Sequence, residues 1–211
     1  MKGICLRYRL AVLSLIGTWS WCCSVWRSSE PTVEQELREG TIVDAALISA
    51  PPSTKNMDGK RDLEMHQSKK GNNWHFGMEV HIGVDTASGL VHTVVGTAGN
   101  VSDVTPAHAL LHGDETAAIG DAGYQGVRKQ PENVGKAVKW HLAMKRSKRK
   151  ALPNNKLSRM IEKLEHLKAT VRAKAEHPFD VIKNLLRHRK TRYRGLAKTP
   201  HNFLLCSALP I

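Results

Sequence analysis

Negative charge is scarce in this chain of 211 residues: nineteen Asp and Glu stand against thirty-two Lys and Arg, a formal charge of +13. A pI near 9.8 is the footprint of a partner that carries phosphates and argues against acidic-surface or anion-repelling roles. Cysteine is scarce too. Cys5, Cys22, Cys23 and Cys206 offer neither the paired spacing of a zinc site nor a disulfide framework, so a reducing, cytoplasmic setting is the default. His66, His75, His81 and His92 show no ligand spacing either. Long apolar runs are absent except at the start, where Lys2, Arg7 and Arg9 precede an uncharged stretch from Leu10 to Trp26. That stretch superficially resembles a secretory signal or a short membrane anchor, but no small-x-small cleavage site comes after it. Three of the five tryptophans lie inside it and the composition breaks near residue 30. Residues 1–37 therefore stand apart from the rest of the chain, and a membrane role is not expected.

What is present is a readable order of elements. "GTIVDAALISA" (40–50) is a β-branched strand with Asp44 inside it, and 51–74 is a polar excursion opened by proline. "HFGMEVHIGVD" (75–85), the turn "TASG" and "LVHTVVGTA" (90–98) predict a hairpin, with Trp74 as its anchor. A short helix over 103–113, with Asp103 as its N-cap, leads to the strand "ETAAIGD" (115–121). A basic helix or loop from Gln125 precedes a strand over 137–144. Leu157, Met160, Ile161, Leu164, Leu167 and Val171 recur at three- and four-residue spacing, which predicts a helix over 156–175. Pro178 is expected to interrupt it, with a second helix running on to about residue 190. The cations cluster in "KRSKRK" (145–150) and in "KNLLRHRKTRYR" (183–194); each run alone could be a solvated face, but together they favour nucleic acid.

This succession, β-β-β-α-β-α-β-α, is an α/β mixed sheet with helices on its faces and a C-terminal helix pair. It is the order of the ribonuclease-H-like fold, in which the first and fourth strands lie side by side. Asp44 and Asp121 would then meet, and Glu176 is the acid positioned to join them. Taken singly, Asp44 could be a hydrogen-bonded strand residue, Asp121 turn chemistry and Glu176 a charge on a solvated helix. Asp85 reads as structural.

The blocks "GTIVDAALISAPPSTKN", "MHQSKKGNNWHFGMEVHIGVD", "GDAGYQG" and "VRAKAEHPFDVIKNLLRHRKTRYRGL" together resemble the catalytic domain of bacterial DDE transposases, in the insertion-sequence-five branch of the insertion-sequence-four type. The resemblance runs from Arg38 to Lys198, giving a catalytic domain over 38–198 and an atypical tail over 199–211. It implies that Asp44, Asp121 and Glu176 are the catalytic and metal-holding carboxylates, with Mg²⁺ or Mn²⁺ as the only cofactor. Arg172, Glu176 and Lys183 match the spacing of the family's arginine-glutamate-lysine signature, so Arg172 and Lys183 are implied phosphate contacts. Arg187, Arg189, Lys190, Arg192 and Arg194, with Lys145, Arg146, Lys148 and Arg149, extend the DNA-binding set. Double-stranded DNA, as element ends and target, and an oligomeric synapse of this chain are the implied partners. Ala46 and Ala169 depart from the family pattern. The regions before residue 38 and after residue 198 do not resemble their counterparts, which keeps a noncatalytic DNA-binding remnant, read out of frame at both ends, as the alternative.

Overall fold

The computed structural model describes residues 39–197, so the sequence expectations for the N-terminal apolar stretch and the C-terminal tail lie outside the described residues. Six strands form one sheet: β1 (Gly40–Ser49), β2 (His66–Lys70), β3 (Asn73–Asp85), β4 (Val91–Ala98), β5 (Ala117–Gly120) and β6 (Lys139–Leu142). The order across it is β2-β3-β1-β5-β6, with β4 also paired to β3. Gly77 pairs with Ser49 on one side and with His66 on the other, so β2 and β4 succeed one another along the outer edge of β3. This is the mixed, ribonuclease-H-like sheet expected from the element order, with one strand more.

β1 and β3 pair antiparallel through their full overlap, Thr41 opposite Asp85 to Ser49 opposite Gly77. β1 and β5 pair parallel, with Gly40, Thr41 and Ile42 opposite Ala117, Ala118 and Ile119. The alternation of side chains sorts the core into two halves. Ile42, Ala46 and Ile48 of β1 face one side with Val80, Ile82 and Ile119, and that side is covered by Ala175, Phe179 and Ile182. Val43 and Ala118 face the other, against Val104, Leu110, Tyr124, Val127 and Trp140. The β3–β4 hairpin is present as expected. Its pairing slips between Gly83 and Val84, because Val84 stands opposite Val91 and Gly83 opposite Thr93, which leaves His92 as the extra residue of a β-bulge.

Two helices come after β6: α1 (Arg146–Lys150), built from the first basic run, and α2 (Lys156–Asp180). Asn155 caps α2, accepting the Ser158 amide at 2.8 Å. The expected helix pair is instead one continuous helix. Pro178 sits inside α2, the Val181 amide reaches both the His177 and Pro178 carbonyls, and the chain widens into a π-turn over Val181–Leu185. Proline removes a single amide from the ladder, and the helix passes it rather than ending, widening only in the turn that follows. Arg187, at φ 57, then turns the chain out of the helix in the left-handed conformation.

Three further expectations are corrected. The helix over 103–113 is a 3₁₀ segment, Pro106–Leu110, whose N-cap is Thr105, so Asp103 does not cap it. The polar excursion hides β2, whose residues "HQSKK" are mostly exposed and bond to β3 through the backbone. The apolar stripe of α2 is not its buried face over the first turns: Leu157, Met160 and Leu167 are exposed while Ser158, Glu165 and Lys168 are buried. Polar contacts hold that end, since Glu165 accepts the Met144 amide at 2.9 Å and Lys168 donates to the Leu142 carbonyl at 3.0 Å and to Glu165 at 2.7 Å.

The parallel pair depends on glycine at its start. A Cβ on Gly40 would lie 2.5 Å from the Ala117 carbonyl oxygen, a backbone atom that cannot swing away. Gly40→Ala is expected to destabilise the fold by about 1–3 kcal/mol, as overpacking does. Gly123→Ala would press only on carboxylates, 2.9 Å from Asp121 and 3.2 Å from Asp103. The urea midpoint of Gly40→Ala should therefore fall further than that of Gly123→Ala; equal midpoints would contradict this reading of the β1–β5 contact.

Candidate active site

The last β1–β5 pair is Ile42 with Ile119. Two residues further along each strand, on the same face, come Asp44 and Asp121, both half-buried. Asp44 remains within β1; Asp121 is the first residue beyond β5, where a parallel sheet opens toward solvent. Each carboxylate is oriented by a local amide. Asp44 Oδ1 accepts the Ala45 N–H at 3.0 Å, and Asp121 Oδ1 accepts the Gly123 N–H at 2.7 Å. A Cβ at Gly123 would crowd the same Oδ1 at 2.9 Å. On α2, Ala175 is fully buried against the sheet and its neighbour Glu176 is exposed.

Electrostatics ties the three acids together. Burial pushes the Asp44 carboxyl above its ordinary range; the Ala45 amide and the Arg172 guanidinium pull it back, and the negative charges of Asp121 and Glu176 push it up again. Three carboxylates whose charges meet at Asp44 form a set of hard oxygen donors that a divalent cation would neutralise, so the residues fit Mg²⁺ or Mn²⁺. The ligand atoms of Asp44, Asp121 and Glu176 do not all lie within 4.8 Å of one another. Among the described residues two other groups bring their ligand atoms within 4.8 Å of one another: Glu79, His81 and Asp103, and His92, His112 and Glu115.

The basic residues divide by position. Arg172 and Lys183 lie beside the acids: each interacts electrostatically with Asp44, and the Lys183 ammonium stands 5.6 Å from the Phe179 ring. Burial, and then Lys70, lower the Lys183 pKa, while Asp44 raises it. The Arg172 Nε is buried without a hydrogen-bond partner among the described residues. Lys183, Arg187 and Arg189 line one cavity with Asn184. Lys190 and Arg192 belong to the segment just beyond it, and Lys145, Arg146, Lys148 and Arg149 are exposed on and before α1. Arg194 is engaged elsewhere, paired with Asp58 and donating to the Lys60 carbonyl.

Sequence reasoning missed a second acidic pair on the opposite face of the sheet. Glu79 of β3 shares a hydrogen bond with Asp103, and Asp103 feels the charge of Asp121. Tyr124 lies among these acids, 1% exposed, its hydroxyl without a partner among the described residues and surrounded by Asp103, Asp44, Asp121 and Glu79. It belongs to the core. His81 is also a core residue, bonded through Nε2 to Thr97 Oγ1 at 2.8 Å, and Asp85 holds the hairpin turn through Ser88. Trp74 is no buried anchor. It is 66% exposed at the start of β3 and meets Lys69 across the β2–β3 hairpin, where both strands lie open to solvent.

A sequence model of the family described as "Transposase DDE domain" matches residues 35–209. No solved structure matches the chain. Among the described residues, no helix is long and apolar enough to cross a membrane.

Burial first, and then the charge and hydrogen bond of Asp103, push the Glu79 pKa from 4.5 to about 7. Between those values the folded chain keeps a proton that the unfolded chain has released, so stability falls as pH rises through the window. The unfolding temperature should drop from pH 5 to pH 7.5 in the native chain, and the drop should shrink in Glu79→Gln. An undiminished drop in the variant would contradict the assignment.

Proposed function

The chain belongs to the transposase DDE domain family, the DDE-type polynucleotidyl transferases that act on DNA with divalent metal ions, and from that premise we propose how its own residues do so. Asp44, Asp121 and Glu176 are the catalytic carboxylates. The observation that carries this is the β1–β5 register, which brings Asp44 and Asp121 side by side just beyond the last β1–β5 pair, on the face that α2 covers and from which Glu176 acts on Asp44. Bound among these oxygens, a pair of divalent ions would activate the attacking oxygen and stabilise the leaving one in an in-line displacement at phosphorus.

The protein's share is positioning. The amides of Ala45 and Gly123 fix the aim of Asp44 and Asp121 before any DNA arrives, and α2 carries Glu176 to them as a rigid unit. Arg172 offsets part of the negative charge of the acids and stands where a scissile phosphate would approach. Lys183, Arg187 and Arg189, with the exposed cations on α1, hold phosphates on either side; such contacts supply affinity and register rather than sequence readout. In the first step water attacks the phosphodiester at the element end, the P–O3′ bond breaks and a 3′-hydroxyl is released. In the second, that hydroxyl attacks a target phosphodiester and displaces its 3′ oxygen, so the number of phosphodiester bonds is conserved. The resemblance of the four sequence blocks supports an insertion sequence as the element, its inverted repeats as the ends recognised, and a multimer of this chain as the synapse.

The test is cleavage of a labelled duplex bearing an element end by the full chain. Nicking should appear with Mg²⁺ or Mn²⁺ and vanish with EDTA. Asp121→Asn should lower the rate by roughly a thousandfold or more while DNA binding at low salt is kept. Binding without metal-dependent nicking would favour a DNA-binding remnant, and nicking that survives Asp121→Asn would remove the triad from the chemistry.

A further inference from the structure

At the opposite end of the β1–β5 pair from Asp44 and Asp121, three side chains from separate parts of the chain converge: His92 from β4, and His112 and Glu115 from the segment leading into β5. Their ligand atoms lie within 4.8 Å of one another. We propose that His92, His112 and Glu115 bind a borderline divalent transition-metal ion, Zn²⁺ by the chemistry of the set, at a site separate from the carboxylate triad.

Four features point the same way. His92 is the extra residue of the β-bulge in β4, and a bulge re-aims the side chain it releases from the ladder. Its ring occupies the space above Gly83, where a Cβ would come within 2.8 Å of Cε1 and 3.2 Å of Nε2. Its Nδ1 lies 2.9 Å from Thr93 Oγ1 and its Nε2 3.3 Å from Thr41 Oγ1, beside Glu115; in the tautomer that donates Nδ1–H to Thr93, the Nε2 lone pair is left for a metal, the arrangement that orients metal-bound imidazoles. Glu115 is held as an anion by the amides of His112 and Gly113, each at 2.7 Å, and by the Thr41 hydroxyl at 3.2 Å. Its side chain is nine-tenths or more buried, at 2% exposure, whereas His112 is half exposed and 3.5 Å from it.

Two imidazoles and a carboxylate are a zinc-type donor set; Mg²⁺ prefers oxygen alone. Tetrahedral zinc with bonds near 2.0–2.1 Å holds its donors about 3.4 Å apart; His112 Nδ1 and Glu115 Oε1 already stand 3.5 Å apart, and the ligand atoms of all three residues lie within 4.8 Å of one another. Held by these residues, the ion would tie β4 to the entry to β5, and the Thr41 hydroxyl on Glu115 would link the site to β1.

The experiment uses the full chain, stripped with chelator and dialysed against Zn²⁺ in excess Mg²⁺. One equivalent of zinc should be retained and lost in both His92→Ala and His112→Ala. His108→Ala, whose ring serves the Thr105 carbonyl, should keep it. Zinc should raise the unfolding temperature of the native chain by several degrees and leave that of His112→Ala unmoved. Cobalt at the site should show a tetrahedral visible spectrum without a thiolate charge-transfer band, which separates it from the cysteines. If zinc is not retained, or if His112→Ala retains as much as the native chain, the proposal is overturned. Because His112 is half exposed, that variant folds even where His92→Ala does not, and neither readout depends on DNA cleavage.

Discussion

The parallel contact between β1 and β5 is the constraint on which the rest depends. It spans only three residue pairs, and it requires a residue without a Cβ at Gly40, yet it sets the register of the two acidic residues beyond it. Shifting one strand by a single residue would send Asp44 and Asp121 to opposite faces of the sheet. Everything around the pair resists such a slip. β3 pairs with β1 over nine positions on one side, β6 pairs with β5 on the other, and Ile42 and Ile119 are fully buried against α2.

Placing negative charges together on the central strands of a sheet costs stability, and the fold manages that cost locally. Asp44 and Asp121 each receive a backbone amide, Arg172 lies close to Asp44, and the second pair, Glu79 and Asp103, shares a proton on the far face. The same end of the molecule carries Lys183 and the cations beyond it, so a polyanion is drawn toward the carboxylates that would repel it unaided.

Much of this was legible in the chain. Asp44 and Asp121 could be placed because each sits in or after an apolar run with a clear strand period, and the order of strands fixed which two run side by side. Glu176 was singled out by the fold order and by the arginine-glutamate-lysine spacing of the family the chain resembles, not by any local pattern of the helix. The rest was hidden for physical reasons. β2 has no apolar alternation because both its faces meet solvent, and its pairing is purely backbone. Pro178 is an ordinary stop signal, yet the helix runs through it, which no local pattern announces. Glu79 and Asp103 are neighbours only through β3 and the loop before the 3₁₀ segment. The His92 group depends on a bulge that displaces one residue, so its ligands lack any recognisable spacing in sequence.

The central claim is that divalent ions sit among Asp44, Asp121 and Glu176. The most direct measurement replaces them with Fe²⁺ and maps where ascorbate-driven hydroxyl radicals cut the backbone of the full chain. The account predicts cuts close to residues 44, 121 and 176, suppressed by excess Mg²⁺ and lost in Asp121→Asn. Cuts elsewhere that Mg²⁺ suppresses, or an unchanged pattern in Asp121→Asn, would contradict it.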